Sequence, residues 1–348
     1  MIKEIELTSF FEAANSQIIK TVYFGGGTPS ILQEADLQEL FTALHTKFSI
    51  DAGAEITLEA NPDDINASNL QQWKSMGINR LSVGIQSFVQ DELKWMNRAH
   101  TATEAIHCID EIKEAGFDNF SIDLIYGSPL LDNEHWKRNV DIAIEKNIPH
   151  ISSYALTVEP KTPLDKLIAK NVKAPVSSDR QAEQFLLLMN WMETAGYDHY
   201  EISNFSLPGM RSKHNSSYWQ GKHYYAFGPS AHSFDGKKRR WNIANNAAYI
   251  RSLQNNKIPF EEELLTITQQ LNEYIMTSLR TMEGISTKYV AILFGEAAAD
   301  KLMQSAGKWL AGNKLYQHNG SLILTKEGKL FADGIAADLF AEQAAIPN

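Results

Sequence analysis

Five short apolar runs rich in β-branched residues constrain this chain more than any other feature. They are TVYF at 21–24, EITLEA at 55–60, RLSVGI at 80–85, FSIDLI at 120–125 and HISSYAL at 150–156. Longer amphipathic stretches separate them, among them LQEADLQELFTALHTKF and ATEAIHCIDEIKEAG, the second closed by Gly116 as a helix stop. Strands alternating with helices in this way pair in parallel, because each crossover returns the chain to the same end of the sheet. The rhythm therefore specifies an α/β fold. Spacing alone leaves two forms of it open, a doubly wound sheet or a barrel.

Further along, SSDRQAEQFLLLMNWMETAG reads as a long helix capped by Ser177 or Ser178, followed by a strand at YDHYEIS, so the repeat is expected to continue past the middle of the chain. From Pro208 to Trp241 the periodicity fades and Gly, Ser, His, Tyr and Trp accumulate, which predicts a long ordered loop over a functional surface. From about 261 the pattern is helical. Asn319 and Gly320 then sit between alternating runs as a hairpin turn, and a final helix is expected from Lys326. Helices, a hairpin and a helix form a small winged-helix-like unit, read as a cap on the main domain rather than a DNA reader because the tail lacks a basic patch. The expected domains are 1–205, a connecting region over 206–260, and 261–348.

The chain holds 32 basic and 42 acidic residues among 348, a formal charge of -10, and so gains nothing from counterion release on nucleic acid. No apolar run approaches the roughly 20 residues that cross a bilayer, and the N-terminus lacks the basic, apolar and small-residue sections of a secretion leader. A cytoplasmic protein with no integral membrane segment is expected. Its single cysteine, Cys108, excludes an internal disulfide and any site that draws several thiolates from this chain.

The sharpest local motif is FGGGTPSIL at 24–32, where three glycines directly after a strand let backbone approach a ligand. A tight strand-to-helix turn is the plain alternative. Polar residues close the following strands: Glu59 in LEANP, Gln86 in SVGIQSF and Asp123 in SIDLIYG. The C-terminal ends of barrel strands form one rim, so these side chains would converge with Gly25 to Thr28. Singly, Glu59 could cap its turn, Gln86 could satisfy loop backbone, and Asp123 could pair with a basic neighbour. Arg98, in a helix spanning DELKWMNRAH, would by itself be a solvated or ion-paired surface residue.

FGGGTPS, LEANP, INRLSVGIQSF, LKWMNRAHT and FSIDLIYGSP, in this order and spacing, resemble the radical S-adenosylmethionine (SAM) domain of the oxygen-independent coproporphyrinogen III oxidase and heme-chaperone family, from about residue 20 to the end of the chain. The resemblance implies a partial parallel β/α (TIM-like) barrel with a small C-terminal helical, winged-helix-like domain. It further implies that Gly26, Gly27 and Thr28 hold the methionine part of S-adenosylmethionine, and that Glu59, Gln86, Arg98 and Asp123 bind its other polar groups. The chemistry suits the cosubstrate, which offers an ammonium to carboxylates, a carboxylate to Arg98 and ribose hydroxyls to Asp123.

HNSSYW at 214–219 looks like the heme-chaperone branch, whose HNxxYW pattern is filled here by His214, Asn215, Tyr218 and Trp219. The resemblance makes His214 the candidate ligand of heme iron, while Tyr218, Trp219, Tyr224, Tyr225 and Phe227 offer flat apolar surface. An aromatic cluster pinning a loop is the alternative. His223 and His232 read as structural.

The family's four-iron four-sulfur cluster needs three thiolates, normally in a C-x-x-x-C-x-x-C loop, and this chain contains no such loop. Cys108 reads as a small core residue. The expected explanation is a start placed too far downstream, the alternative a clusterless relative, and no catalytic residue is assigned. The leading functional expectation is a heme-binding chaperone that passes heme to an acceptor protein. The rivals are a coproporphyrinogen oxidase that decarboxylates propionates through a 5'-deoxyadenosyl radical, and a binding remnant with neither activity.

Overall fold

The computed structural model describes residues 1–9 and 18–342. The expected C-terminal domain ends in residues 343–348, which lie outside the described residues. The elements begin with α1 (Ile2–Leu7), β1 (Ile18–Phe24), α2 (Glu34–Lys47), β2 (Ser49–Ala60) and α3 (Ala67–Ser75). They continue with β3 (Arg80–Gln86), α4 (Gln90–Trp95), α5 (Ala102–Glu114), β4 (Phe120–Tyr126), α6 (Asn133–Glu145) and β5 (His150–Ala155). Next come α7 (Pro163–Ala169), α8 (Ser178–Thr194), β6 (Asp198–Glu201), β7 (Asn204–Ser206), α9 (Lys213–Trp219), β8 (His232–Phe234) and β9 (Lys238–Asn242). The last are α10 (Asn246–Gln254), β10 (Phe260–Leu264), α11 (Ile267–Leu279), β11 (Ile285–Ser286), α12 (Thr287–Phe294), α13 (Glu296–Ala311), β12 (Leu315–His318), β13 (Ser321–Leu324), α14 (Lys326–Lys329) and α15 (Ala332–Leu339). Two compact units divide the chain: one is Met1–Val22, Gln33–Ala54 and Lys213–Asn348, the other Tyr23–Leu32 and Glu55–Ser212.

A seven-stranded sheet runs in the order β1-β2-β3-β4-β5-β7-β6. The order is linear, with β1 and β6 at opposite edges, so the barrel is partial. The pairs β2–β3, β3–β4 and β4–β5 are parallel. One set of alternate residues is fully buried and apolar, including Leu58, Leu81, Val83, Ile85, Ile122, Leu124 and Ile151. Apolar stripes of the crossover helices are equally buried, with Ile109 and Ile112 on α5 and Trp136 and Val140 on α6, which makes a sheet-to-helix core. Of the two serines expected to cap α8, Ser177 is the one that accepts from Arg180 N, and Thr101, which the sequence reading did not single out, forms a capping box on α5. Gly116 ends α5 in the left-handed region at φ 74°.

The expected continuation of the parallel repeat is corrected at its end. After β5 the pairing becomes antiparallel, β7 joining β5 and β6 joining β7. The turn Ile202–Ser203 is too short for the dozen or more residues a parallel crossover requires, so YDHYEISNFS can only fold back as a hairpin.

In the other unit, β8, β9 and β10 form an antiparallel sheet. The expectation of helix from about 261 is corrected, since Phe260–Leu264 is β10 and α11 starts at Ile267. Its run of glutamates lies opposite a basic strand, with Glu262 against Arg240 and Glu263 against Arg239 in register. Cross-strand charge pairing therefore outweighs the poor strand propensity of glutamate. The order α11-β11-α12-α13-β12-β13, with sheet order β11-β13-β12, is that of a winged helix. Asn319 and Gly320 turn its hairpin at φ 50° and 78°, a two-residue turn with both central residues left-handed. The expected final helix is two pieces, α14 and α15. In the same unit α1 is anchored by Glu4, which is 3% exposed and accepts from Gly228 N, Asn242 Nδ2 and the Tyr249 hydroxyl.

Candidate functional site

The glycine-rich turn follows β1 directly. Gly25 has no room for a side chain, because a Cβ there would lie 2.5 Å from Tyr23 Cε1 and 2.8 Å from Glu59 Oε1. Gly26 takes φ 102°, and its Cβ position, like that of Gly27, faces open space. Glu59, near the end of β2, is oriented from two sides: Gly26 N donates to Oε2 at 3.0 Å and the Tyr23 hydroxyl to Oε1 at 2.8 Å. Thr28 leads into a short 3-10 turn over Pro29–Ile31, its carbonyl accepting from Ile31 N. Ser30 Oγ donates to Asp64 Oδ2 at 2.6 Å, tying this turn to the one after β2.

Gln86 ends β3 at φ 68°, where the register with β4 shifts. A non-glycine residue held left-handed at a strand end stores strain that its surroundings must balance. Gly84 makes room for its amide, since a Cβ on Gly84 would sit 2.9 Å from Gln86 Nε2. Asp123 lies in mid-β4, in register with Ser152 of β5. Burial pushes its carboxyl up to about 7, the charge of Glu59 adds to this, and Ser152, Arg80 and Arg98 oppose it. Arg98 is not helical as expected. The helix α4 stops at Trp95, Asn97 turns left-handed at φ 56°, and Arg98 N bonds back to Leu93 O. From that turn the half-buried Arg98 acts electrostatically on Asp123 and Asp63, while burial lowers its own pKa. Glu59, Asp123 and Arg98 thus share one field, and the strand ends bring Gly26, Gly27, Thr28 and Gln86 to the same rim.

Three neighbours escaped the sequence reading. Tyr23 orients Glu59, and burial first, then Glu59, raises its phenol. Tyr154 extends the Ser152 row on β5, and burial and Asp123 push it up to about 12. His100, 3% exposed, bonds through Nε2 to Ile85 O at 3.0 Å and so fixes the backbone just before Gln86; burial lowers its pKa. Strand parity with Glu59 and Asp123 is the signal that points to both tyrosines. His100 carried no signal of its own.

The HNSSYW segment is the helix α9, and not part of a long loop. Its breakers, Pro208 and Gly209 before it and Gly221 at φ 62° after it, flank the segment without interrupting it. Helical spacing places His214 beside Tyr218 and Asn215 beside Trp219. His214 Nδ1 is 3.0 Å from Thr21 Oγ1, and its ring meets Tyr218 edge-on at 5.0 Å and 89°. The ring series continues from Tyr218 to Tyr224 at 4.7 Å and from Tyr224 to Phe234 at 6.1 Å. Tyr225 and Phe227 stack with each other and meet Phe48 at tilts of 46° and 44°. His223 packs over Gly236, and His232, on β8, stacks with Trp241 at 6.1 Å.

The donor set does not suit an iron-sulfur cluster. Cys108 is 2% exposed on α5, donates to Ala105 O at 3.3 Å, and is pushed up to about 12 by burial and by Glu111 and Asp110. Among the described residues no three His, Cys, Asp or Glu side chains are arranged to hold a metal ion. No helix among them is long and apolar enough to cross a membrane.

A partial β/α barrel with a glycine turn and carboxylates on its rim is the radical SAM class, and the model of the Radical SAM superfamily matches residues 5–143. The fold agrees with the solved structure of the coproporphyrinogen III oxidase HemN from Escherichia coli, at a TM-score of 0.83 and 20% identity over 98% of this chain and 82% of that one. Within the class, the heme chaperone HemW of Bacillus subtilis is 34% identical over 343 residues, 97% of this chain and 90% of the relative. HemW of Lactococcus lactis is 33% identical over 79% of this chain and 72% of its own length. The chain belongs to the HemW heme-chaperone family of radical SAM proteins.

Proposed function

We propose that this protein binds heme as cargo through the helix α9, with His214 as iron ligand and Tyr218, Trp219 and Asn215 as its immediate surroundings, and releases it to an acceptor protein in the cytoplasm. The observation that carries the reading is the setting of His214. A ring whose Nδ1 lies on the Thr21 hydroxyl and whose face meets Tyr218 edge-on is fixed in orientation, and second partners of this kind set the tautomer and direction of a ligating imidazole. The half-buried ring series beyond it offers aromatic surface to a macrocycle.

Gly26, Gly27, Thr28, Glu59, Gln86, Arg98 and Asp123 are proposed to hold S-adenosylmethionine. Open space at Gly26 and Gly27 admits a ligand against the backbone, and the joint field of Glu59, Asp123 and Arg98 matches a ligand bearing an ammonium, a carboxylate and hydroxyls. When bound, this cosubstrate is the family's source of radical chemistry. Titrating heme into the purified protein and its His214→Ala variant tests the cargo reading. A saturable Soret shift in the wild type and its loss in the variant are expected. Identical shifts in both would remove His214 as the ligand.

A further inference from the structure

We infer that Lys173 is a positioning residue for the rim: it clamps the turn that presents Arg98 and, by the same contact, latches the segment 157–177 across the strand ends. The inference rests on the reading of the rim as the S-adenosylmethionine site. The segment joins the C-terminal end of β5 to α8, so it starts on the rim side of the sheet. From Tyr154 to Glu183 no residue is buried, α7 included. The core therefore does not hold this stretch, and such stretches open at low cost. Gln181 Nε2 donates to Leu156 O at 2.8 Å and closes its base. Farther out, Lys173 Nζ donates to Trp95 O and lies 4.3 Å from the centroid of the Trp95 ring. Trp95 ends α4, the helix that follows β3, and β4 lies between β3 and β5. A tie from the end of β5 to α4 thus spans the end of β4, the strand that carries Asp123.

The end of α4 explains why a lysine is needed there. Met96 N bonds to Glu92 O at 2.9 Å, Asn97 N to Lys94 O at 3.1 Å and Arg98 N to Leu93 O at 2.9 Å, with Asn97 left-handed at φ 56°. These bonds close the helix and satisfy the carbonyls of Glu92, Leu93 and Lys94. The Trp95 carbonyl, at the negative end of the helix, falls to the Lys173 ammonium. Among the described residues no carboxylate lies within ion-pair reach of Lys173, so the carbonyl and the indole face are what hold it. A lysine merely resting on an indole would steady the segment without touching the ligand. What separates the two readings is Arg98, three residues past Trp95, whose half-buried guanidinium acts on Asp123 and Asp63. A clamp on the turn fixes the direction in which that side chain leaves it. Arg98 is the group proposed to take the carboxylate of the cosubstrate. Loosening the clamp is therefore felt by ligands that carry this carboxylate and not by ligands that lack it.

The test measures binding of S-adenosylhomocysteine, which carries the amino-acid carboxylate, and of 5'-methylthioadenosine, which lacks it, to the wild type, Lys173→Met, Lys173→Arg, Arg98→Leu and the Lys173→Met, Arg98→Leu double variant. Lys173→Met is expected to weaken S-adenosylhomocysteine about fivefold, the scale of one partly exposed charge-assisted contact, with 5'-methylthioadenosine as in the wild type. Lys173→Arg, which keeps a cationic donor for the same carbonyl and indole, is expected to bind both as the wild type does. In the Arg98→Leu background Lys173→Met should add nothing, because the clamp acts through the arginine. Trypsin reads the latch without any ligand: cleavage after Lys161, Lys166 and Lys170 should be about fivefold faster in Lys173→Met, as the open population rises. Equal weakening of both ligands, weakening of neither, or an unchanged cleavage rate overturns the inference. The two proposals fail distinguishably. A wild type that binds neither ligand overturns the cosubstrate reading and the clamp with it; a wild type that binds both while Lys173→Met matches it sinks the clamp alone.

Discussion

Asp123→Asn is expected to stabilise the ligand-free protein at neutral and alkaline pH while impairing the rim that is proposed to bind S-adenosylmethionine. An unfolded aspartate titrates near 3.8, and in the fold burial and the neighbouring Glu59 push Asp123 up to about 7. Between those values the folded state holds a proton that the unfolded chain has released. Unfolding then releases a proton, and stability falls as pH rises from about 4 to about 7, with no further change above that from this group. At about 1.4 kcal/mol per tenfold in acidity, the displacement corresponds to about 4 kcal/mol. The residue keeps part of its surface in solvent, so roughly half of this, about 2 kcal/mol, is the expected gain of the asparagine variant at pH 8. At pH 4, where the folded aspartate is neutral and the unfolded one only about half ionised, the gain should nearly vanish. Urea unfolding of the two proteins at half-unit steps from pH 4 to 8 yields the difference curve. A curve that is flat with pH, or that favours the wild type increasingly as pH rises, would refute the reasoning.

The network around Glu4 implies that Glu4→Ala strips three buried donors of their acceptor, at a cost of about 3 to 5 kcal/mol in urea unfolding; a loss below about 1 kcal/mol would show that α1 is not anchored this way. Cys108 should resist a thiol reagent in the native protein and react fully in denaturant, because burial holds it as a neutral thiol. For the same reason, incubation with iron and sulfide should produce no broad visible absorbance of an iron-sulfur centre, and its appearance would contradict the assignment of Cys108 to the core.

Much of the α/β body was legible because burial on a strand or helix leaves a period in the sequence. EITLEA, RLSVGI and FSIDLI alternate in the chain and alternate in the fold, and Ser177 starts, Gly116 ends and Asn319–Gly320 turns an element where their chemistry requires it. The misread segments share a different cause, namely that a partner outside the local window decided the outcome. Glu261 to Glu263 form a strand because Arg239 and Arg240 lie opposite, and YDHYEISNFS folds back because its turn is short. The helix α9 was hidden because the breakers around it dominate a window drawn over 208–241. At the rim, the carboxylates were recognisable singly only as candidates. Arg98 reaches Asp123 from a left-handed turn that a run of helix-forming residues does not announce.

The choice between a doubly wound sheet and a barrel, open on spacing alone, follows from parity once the faces are known. A doubly wound sheet has helices on both faces, so its strands read as continuous apolar runs. Here alternate residues along much of the central strands are polar: Glu55, Thr57 and Glu59 on β2, Arg80 and Ser82 on β3, Ser121 and Asp123 on β4, His150 and Ser152 on β5. Such a face cannot lie under an apolar helix layer; it has to satisfy itself. It does so in part, by the ion pair of Arg80 and Glu55, each 2% exposed, by His150 Nε2 on the Tyr200 hydroxyl at 2.7 Å, and by Ser121 on Ser82 at 3.0 Å, while Thr57 Oγ1, Arg80 Nε and His150 Nδ1 stay buried without a hydrogen bond. Those pairs occupy the N-terminal ends of the strands. Further along the strands the same face carries Asp123 in mid-β4 and Glu59 near the end of β2, whose charges are answered by amides, hydroxyls and Arg98. The alternation that makes the sheet curl around a polar interior is thus the same alternation that aims the candidate ligand-binding carboxylates into it.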